Sequence, residues 1–275
     1  DLDGTLLNSA KAISPRNAAA VRRAQAAGAR VVIATARPPR SARPFLAQLG
    51  LSGPGIFYNG ALVCAADGSE VIDHQPIPLP LAREFLEQCL LPPRSQTGSS
   101  IPIAGPVPRG LPKNIVVEVA DRYYAWRLDG QIVRLIQRGG APPAGVGELP
   151  ALIREPVSKI SVCTRHPRRL AKIALEWSKG RLACVRSDRR APWLEFLRAG
   201  VSKAAAVERL ARQWGIGWDA IAAFGDEEND VELLRFAGFG VAMGNAPAPV
   251  RRTARHVTAT NDEDGVAEVL ERLFD

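Results

Sequence analysis

Asp1-Leu2-Asp3-Gly4-Thr5 opens the chain, with two carboxylates two positions apart running into a glycine and a threonine. On a backbone leaving a strand, residues i and i+2 project to the same side, so Asp1 and Asp3 can face one substrate, and Gly4 permits a sharp exit. Two carboxylates in one crevice repel each other, and keeping both ionised is costly unless a cation lies between them. The pair therefore points to a hard divalent metal with oxygen ligands, most simply Mg²⁺. By themselves the five residues also read as a solvated turn, so the rest of the chain has to decide.

Such a pair at the carboxyl end of a strand needs roughly four to eight apolar residues before it. The sequence begins at Asp1 without them, which predicts an amino-terminally truncated polypeptide lacking its first core strand. If that strand is central, its two neighbours are left about 9–10 Å apart, with unpaired edges facing each other.

Further along, Ser14-Pro15 reads as the start of a helix that Gly28 stops. Arg30 to Ala34 is a short, nearly all-apolar stretch, the pattern of a strand buried in a parallel sheet, and it ends at Thr35-Ala36-Arg37. A hydroxyl at that end of a strand lies where an α/β sheet binds its ligand. Arg40 to Leu49 reads as a helix, and residues 55–63 as strand, Asn59-Gly60 turn and strand.

From about Leu79 to Arg198 the pattern changes to an α+β unit. It has a helix at 81–90, strands at 114–119, 122–127, 159–163 and 182–185, a helix at 167–178, and Pro/Gly-rich loops at 92–112 and 139–147. The βα alternation then returns. Ser202 caps a helix through Trp214, and the apolar strand 220–224 runs into Gly225-Asp226-Glu227-Glu228-Asn229-Asp230. A short helix to Ala237, a strand at 240–243, a helix from Pro247, a small strand at 256–258 and a closing helix from Asp264 complete the chain. The layout is a doubly wound α/β core, residues 1–78 and 199–275, interrupted by an inserted module, residues 79–198.

Four sites thus fall on strand ends or helix starts of one core: Asp1 with Asp3, Thr35, Lys203, and Asp226 with Asp230. Carboxylates, a hydroxyl and a lysine around Mg²⁺ suit phosphoryl transfer, where the protein mainly positions groups and neutralises charge. Asp1 is the candidate nucleophile, and Asp3 the acid that protonates the leaving alcohol and later takes a proton from water. Asp226 completes the Mg²⁺ site with Asp1 and the Asp3 carbonyl, Thr35 donates to a phosphoryl oxygen, and Lys203 holds phosphate and steadies Asp1.

Taken together, D-x-D-G-T, Thr35 after an apolar stretch, Lys203 in Gly-Val-Ser-Lys, Gly-Asp-Glu-Glu-Asn-Asp, Phe-Tyr-Asn-Gly-Ala and Val-Ala-Met-Gly-Asn-Ala resemble the haloacid dehalogenase-like superfamily, in its Cof-type phosphatase branch. The resemblance covers nearly the whole chain. It implies a Rossmann-like core with an α/β cap and Mg²⁺-dependent hydrolysis of small phosphorylated substrates such as sugar phosphates. It also implies that Asn229 contacts phosphate or orders the metal loop, that Asp230 acts in the outer metal shell or as a water-mediated metal ligand, and that Arg37, Asn59 and Gly60 border the substrate pocket. One departure is Ala36, where the branch commonly has glycine. A phosphomutase of the same superfamily and a catalytically idle phosphate-binding module remain as alternatives.

Composition narrows the rest. A 275-residue chain that is 46% hydrophobic can bury a sizeable core. No apolar run approaches ~20 residues, so no membrane partner is expected. The net charge of +8 comes mostly from arginines scattered along helices without aromatic interleaving, which argues against nucleic acid and suits anionic small molecules. Cys64, Cys89, Cys163 and Cys184 form no pair of metal spacing and read as reduced thiols, in a cytoplasmic or organelle-stroma setting. Trp193 and Trp214 read as packing residues, and Glu227 and Glu228 as solvated.

Overall fold

The structure, a computed structural model, describes residues 1–90, 112–137, 141–186 and 192–274. They divide into two units, residues 1–74 with 201–275, and residues 75–200.

In the first unit, α1 (Pro15–Ala26) starts at Ser14, whose side chain accepts from the Asn17 amide, and α2 (Pro39–Gln48) follows. Three strands then form an antiparallel meander: β1 (Pro54–Phe57), β2 (Leu62–Ala65) and β3 (Val71–His74). The expected strand–turn–strand at 55–63 is therefore present, with Phe57 opposite Leu62 across a turn at Tyr58–Gly60. β3 lies beyond what the pattern of the sequence indicated.

The stretch Arg30–Ala34 does not form the expected strand. It makes one isolated parallel bridge, Ala34 to Ile56, with Ile56 N–H donating to the Ile33 carbonyl at 2.8 Å and Thr35 N–H donating to the Ile56 carbonyl at 2.9 Å. A ladder needs successive pairs, and here only one residue of β1 is engaged. Ile33 and Ala34 are nevertheless buried, as their apolar character requires.

The second unit begins with α3 (Leu79–Phe85), which passes into a π turn at Leu86–Leu90. Its sheet is built from β4 (Pro112–Val119), β5 (Arg122–Ala125), β6 (Gly145–Val146), β7 (Lys159–Thr164), β8 (Leu182–Val185) and β9 (Trp193–Arg198), in the order β6-β5-β4-β7-β9-β8. Helices α4 (Gly130–Gln137), α5 (Leu149–Leu152) and α6 (Pro167–Ser178) accompany it. Successive residues point to opposite faces of a strand, and the two faces are filled differently. Ile115, Val117, Ile160, Val162, Leu194 and Phe196 pack with Phe85, Leu149 and Leu170 of the helices, and the Phe85 and Phe196 rings meet edge to face at 5.0 Å. Val116, Tyr123 and Ala125 on the reverse face pack with Ile132, Ile136 and Trp193. β9 and α4 were not expected. Most of the expected loop 92–112 and part of that at 139–147 lie outside the described residues, and β4 begins at Pro112.

The chain returns to the first unit with α7 (Lys203–Gln213), β10 (Ala222–Gly225), α8 (Val231–Phe236), β11 (Phe239–Ala242), α9 (Ala248–Arg251), β12 (His256–Val257) and α10 (Gly265–Phe274). β10, β11 and β12 pair in parallel, as expected of a doubly wound core. The core strands thus form two three-stranded sheets that share no ladder among the described residues. Helix α7 joins them by packing. Its Ala206 and Leu210 lie against Ile56 and Val63, and Ala204 and Val207 lie in the cluster of Ala223, Leu234 and Ala242.

The opening segment is tied down by the end of the chain. Asn261 donates to the Leu7 carbonyl at 2.8 Å, Asn245 donates to the Gly4 carbonyl at 2.8 Å, and the Ala267 amide donates to the buried Asn17 side chain at 2.9 Å. Cys64 and Cys163 are buried free thiols, and Cys184 is a half-buried one. No helix among the described residues is long and apolar enough to cross a membrane.

The fully buried Phe196 holds the second unit's apolar face together. Phe196→Ala is expected to cost about 3–5 kcal/mol, read as a lowered urea midpoint, whereas an equally sized loss should not follow from truncating the exposed Leu128.

Candidate active site

Lys203 is the first residue of α7, directly after its N-cap Ser202, whose side chain accepts from the Ala205 amide. A cation at a helix N-terminus opposes the helix dipole, and this one is also 1% exposed. Both penalties are offset by two carboxylates, Asp1 Oδ1 at 2.9 Å and Asp230 Oδ1 at 2.7 Å from Nζ. A local rule broken in this way, with its compensation built in, is what a functional residue looks like.

Asp230 has no exposed surface and every oxygen is used. Oδ1 meets Lys203, and Oδ2 accepts the backbone amides of Asp226 and Glu227 at 3.1 Å each. Burial, the largest single influence, would raise its pKa, but Lys203, the amino group of Asp1 and the Glu227 amide together hold Asp230 below the usual carboxylate range. Asp230 is therefore a brace for the loop after β10. Glu227 is not simply solvated, because it closes a capping box with Asp230 around the turn Glu228–Asp230, whereas Glu228 is exposed as expected.

Asp226 sits at the mouth of this loop, 7% exposed, with Oδ1 accepting from the Thr5 hydroxyl at 3.0 Å and Oδ2 near Asn245 Nδ2 at 3.5 Å. The backbone of Gly4 passes so close that a Cβ there would lie 2.2 Å from Asp226 Oδ2, and Gly4 has φ +80°. Only glycine meets both demands. Burial, then the charge of Asp230, pushes the Asp226 pKa up to about 7.

One carboxylate oxygen each from Asp1, Asp226 and Asp230 lies within 4.8 Å of the others. Two buried acids and the half-buried Asp1 beside one lysine make a donor set of hard oxygens with surplus negative charge, which fits a divalent cation such as Mg²⁺.

Asp3 is not part of this group. Its Oδ2 receives Arg37 Nε at 2.5 Å, and its Oδ1 receives both Arg37 Nη2 and Lys11 Nζ at 2.7 Å. Against the opposing effect of burial, Arg37 and then Lys11 hold the carboxyl down to about 2. The Asp3 side chain is engaged by these two cations, and the main-chain carbonyl is the atom that the expectation gave to the metal. Arg37 lies beside Asp3.

The remaining expected residues form a second, polar cluster. Thr35 is 1% exposed and its hydroxyl oxygen accepts from the Arg37 amide at 3.2 Å. Asn59 N–H donates to the Thr35 carbonyl at 3.0 Å, and Asn59 Oδ1 accepts from Asn229 Nδ2 at 2.8 Å. One amide hydrogen of Asn229 is therefore spent on Asn59, and its Oδ1 is buried without a partner among the described residues. Gly60 packs against the carbonyl of Ser202.

Sequence reasoning missed Lys11, Thr5 and Asn245 as members of the site. Asn245 carried a signal, since it lies just past the carboxyl end of β11, where α/β sheets bind ligands. Lys11 carried none, because it reaches Asp3 from a loop residue with φ 60°.

With this geometry established, comparisons with known proteins agree. The sequence matches the family described as haloacid dehalogenase-like hydrolase over residues 1–91 and 152–270. The chain belongs to that family, in its Cof-type phosphatase branch, with a Rossmann-like α/β core and an inserted cap unit. It is similar, at 31% identity over 280 residues, to the 5-amino-6-(5-phospho-D-ribitylamino)uracil phosphatase YitU of Bacillus subtilis, covering 100% of this chain and 96% of that protein. Phosphatase YwpJ of the same organism is 31% identical over 288 residues, covering 100% and 98%. Among solved structures, a haloacid dehalogenase-like hydrolase from Bacteroides thetaiotaomicron matches with a TM-score of 0.80 at 28% identity, covering 100% of this chain and 97% of that one.

The pH dependence of the ion-free protein follows from Asp226. A carboxyl whose folded pKa is raised to about 7 binds more protons folded than unfolded above its ordinary value of 3.8, so stability falls as pH rises across that window. In chelator at pH 8, Asp226→Asn should therefore melt higher than wild type, by about 2–4 °C per kcal/mol of relieved repulsion. The difference should shrink toward pH 4 in paired thermal scans.

Proposed function

We propose that this phosphatase hydrolyses small phosphorylated metabolites with Mg²⁺, through an aspartyl-phosphate formed on Asp1. The observation that carries the reading is the buried triad of Asp1, Lys203 and Asp230, with Asp226 alongside. A carboxylate steadied by a fixed ammonium is aimed as a nucleophile, and the same ammonium meets the negative charge that develops on the phosphoryl oxygens.

Asp1 attacks phosphorus as the bond from phosphorus to the leaving oxygen breaks, and Asp3 supplies the proton that the leaving alkoxide needs. Water then attacks the aspartyl-phosphate, Asp3 takes its proton, and phosphate leaves with Asp1 restored. Arg37 and Lys11 hold Asp3 as a carboxylate, which is the form needed for the second half. Donation in the first half requires that ion pair to loosen as the anionic substrate enters. Thr35 has a hydroxyl hydrogen to give to a phosphoryl oxygen, and Asn229 has its second amide hydrogen.

Asp1, Asp226 and the Asp3 carbonyl would hold Mg²⁺, with Asp230 braced behind them. When bound, the ion neutralises the charge shared by these carboxylates and the phosphoryl oxygens. Residues 75–200 are read as the cap that selects the leaving group, because loops held on a rigid scaffold carry specificity. The similarity to YitU supports a phosphorylated small-molecule substrate, with sugar phosphates and phosphorylated ribityl compounds as the first panel to try.

Phosphate release from that panel with Mg²⁺ tests the reading. Asp1→Asn should lower kcat by about 10³-fold or more, and Lys203→Met by about 10²–10³-fold. Chelation of Mg²⁺ should stop turnover, and undiminished hydrolysis by Asp1→Asn would reject the covalent route.

A further inference from the structure

Three consecutive residues after β1 have left-handed backbones: Tyr58 at φ 52°, Asn59 at φ 57° and Gly60 at φ +101°. Glycine adopts this conformation freely and asparagine tolerates it, but a buried tyrosine does not, and such strain persists only where the surroundings enforce it. Tyr58 is fully buried and Asn59 is 1% exposed.

What enforces the turn is its contact with the segments that carry the chemistry. Tyr58 N–H donates to the Arg37 carbonyl at 3.2 Å and Asn59 N–H to the Thr35 carbonyl at 3.0 Å, so the turn adds two backbone bonds to the one that Thr35 N–H makes with Ile56. Gly60 lies so near the start of α7 that a Cβ there would sit 2.2 Å from the Ser202 carbonyl, one residue before Lys203. The Asn59 side chain takes Asn229 Nδ2 at 2.8 Å, which reaches the loop holding Asp226 and Asp230. From the other side, Arg209 of α7 pairs with Asp73 at 2.7 Å and donates to the Gly60 carbonyl at 3.4 Å.

We propose that Asn59 is a positioning residue for phosphoryl transfer. Its left-handed backbone and its bond to Asn229 set the spacing between the threonine loop, Lys203 and the acidic loop, and it does so without touching substrate. The proposal rests on the phosphatase mechanism above and gives Asn59 a role different from that of a pocket wall. Partners one shell away from reacting groups typically change activity by about 10–100-fold when removed.

Asn59→Gly separates the two contributions, because glycine keeps the left-handed backbone and removes only the side chain. With the best substrate of the panel, kcat should fall about 10–100-fold and KM should stay within about twofold, since the substrate contacts remain. Asn229→Ala removes the same bond together with the phosphate contact proposed for Asn229, so it should lose at least as much kcat, and the double variant should lose no more than Asn229→Ala alone. Asn59→Asp keeps an acceptor for Asn229 and should recover about tenfold of the loss.

Undiminished kcat in Asn59→Gly, a loss confined to KM, or additive losses in the double variant would overturn the proposal. Should the glycine variant fail to fold, Asn59→Asp and Asn59→Ser decide: a higher kcat in the aspartate variant at similar KM supports positioning, and equal kcat in the two, or a change in KM alone, overturns it. A wild-type chain that releases no phosphate from any substrate overturns the functional reading itself, and this proposal with it, whereas active variants of an active wild type overturn only the proposal.

Discussion

A lysine ammonium sealed between two carboxylates is the constraint on which the rest of the core depends. Burying an unpaired charge is prohibitive, so Lys203 can occupy its place only if Asp1 and Asp230 arrive at 2.9 and 2.7 Å. Asp230 in turn can be fully buried only because the Asp226 and Glu227 amides take its second oxygen. The three elements that deliver these residues, the opening segment, α7 and the loop after β10, are thereby locked to one another. Removing Lys203 would leave Asp1 and Asp230 without the cation they share.

The two opening aspartates end up in opposite electrostatic settings although two residues apart. Asp1 shares the crowded acidic side with Asp226 and Asp230, whereas Asp3 lies under two cations, Arg37 and Lys11. Environments that push neighbouring acids apart in this way suit one motif to the two roles that the proposed mechanism asks of it, a nucleophile and a proton carrier. Close packing of backbone permits the arrangement. Gly4 lets the chain pass against Asp226, and Gly60 lets a strained turn rest on the carbonyl that precedes Lys203.

Much of this site was legible in the chain as written. Asp226, Lys203 and Thr35 follow apolar runs or open a helix, Asp1 is marked by its pairing with Asp3, and chemistry joins them into a phosphoryl-transfer set. Ser14 and Ser202 cap the helices that their positions indicated. Arg30–Ala34 misled, because an apolar run states only that residues are buried, and whether they pair depends on the neighbours available. β9 was hidden for a related reason: Trp193–Arg198 becomes a strand by pairing with β7 and β8, not by its own pattern.

Local sequence thus determined the inventory: which acids, which lysine, which helix starts, and the interruption of one α/β pattern by another. The tertiary structure alone decided who faces whom. Asn229 meets Asn59 across 170 positions, Arg37 meets Asp3 across 34, and Thr5 meets Asp226 across 221. Periodicity and capping act over a few residues and reveal secondary structure, whereas partners this distant in the chain leave no mark in either, so only the folded backbone selects them.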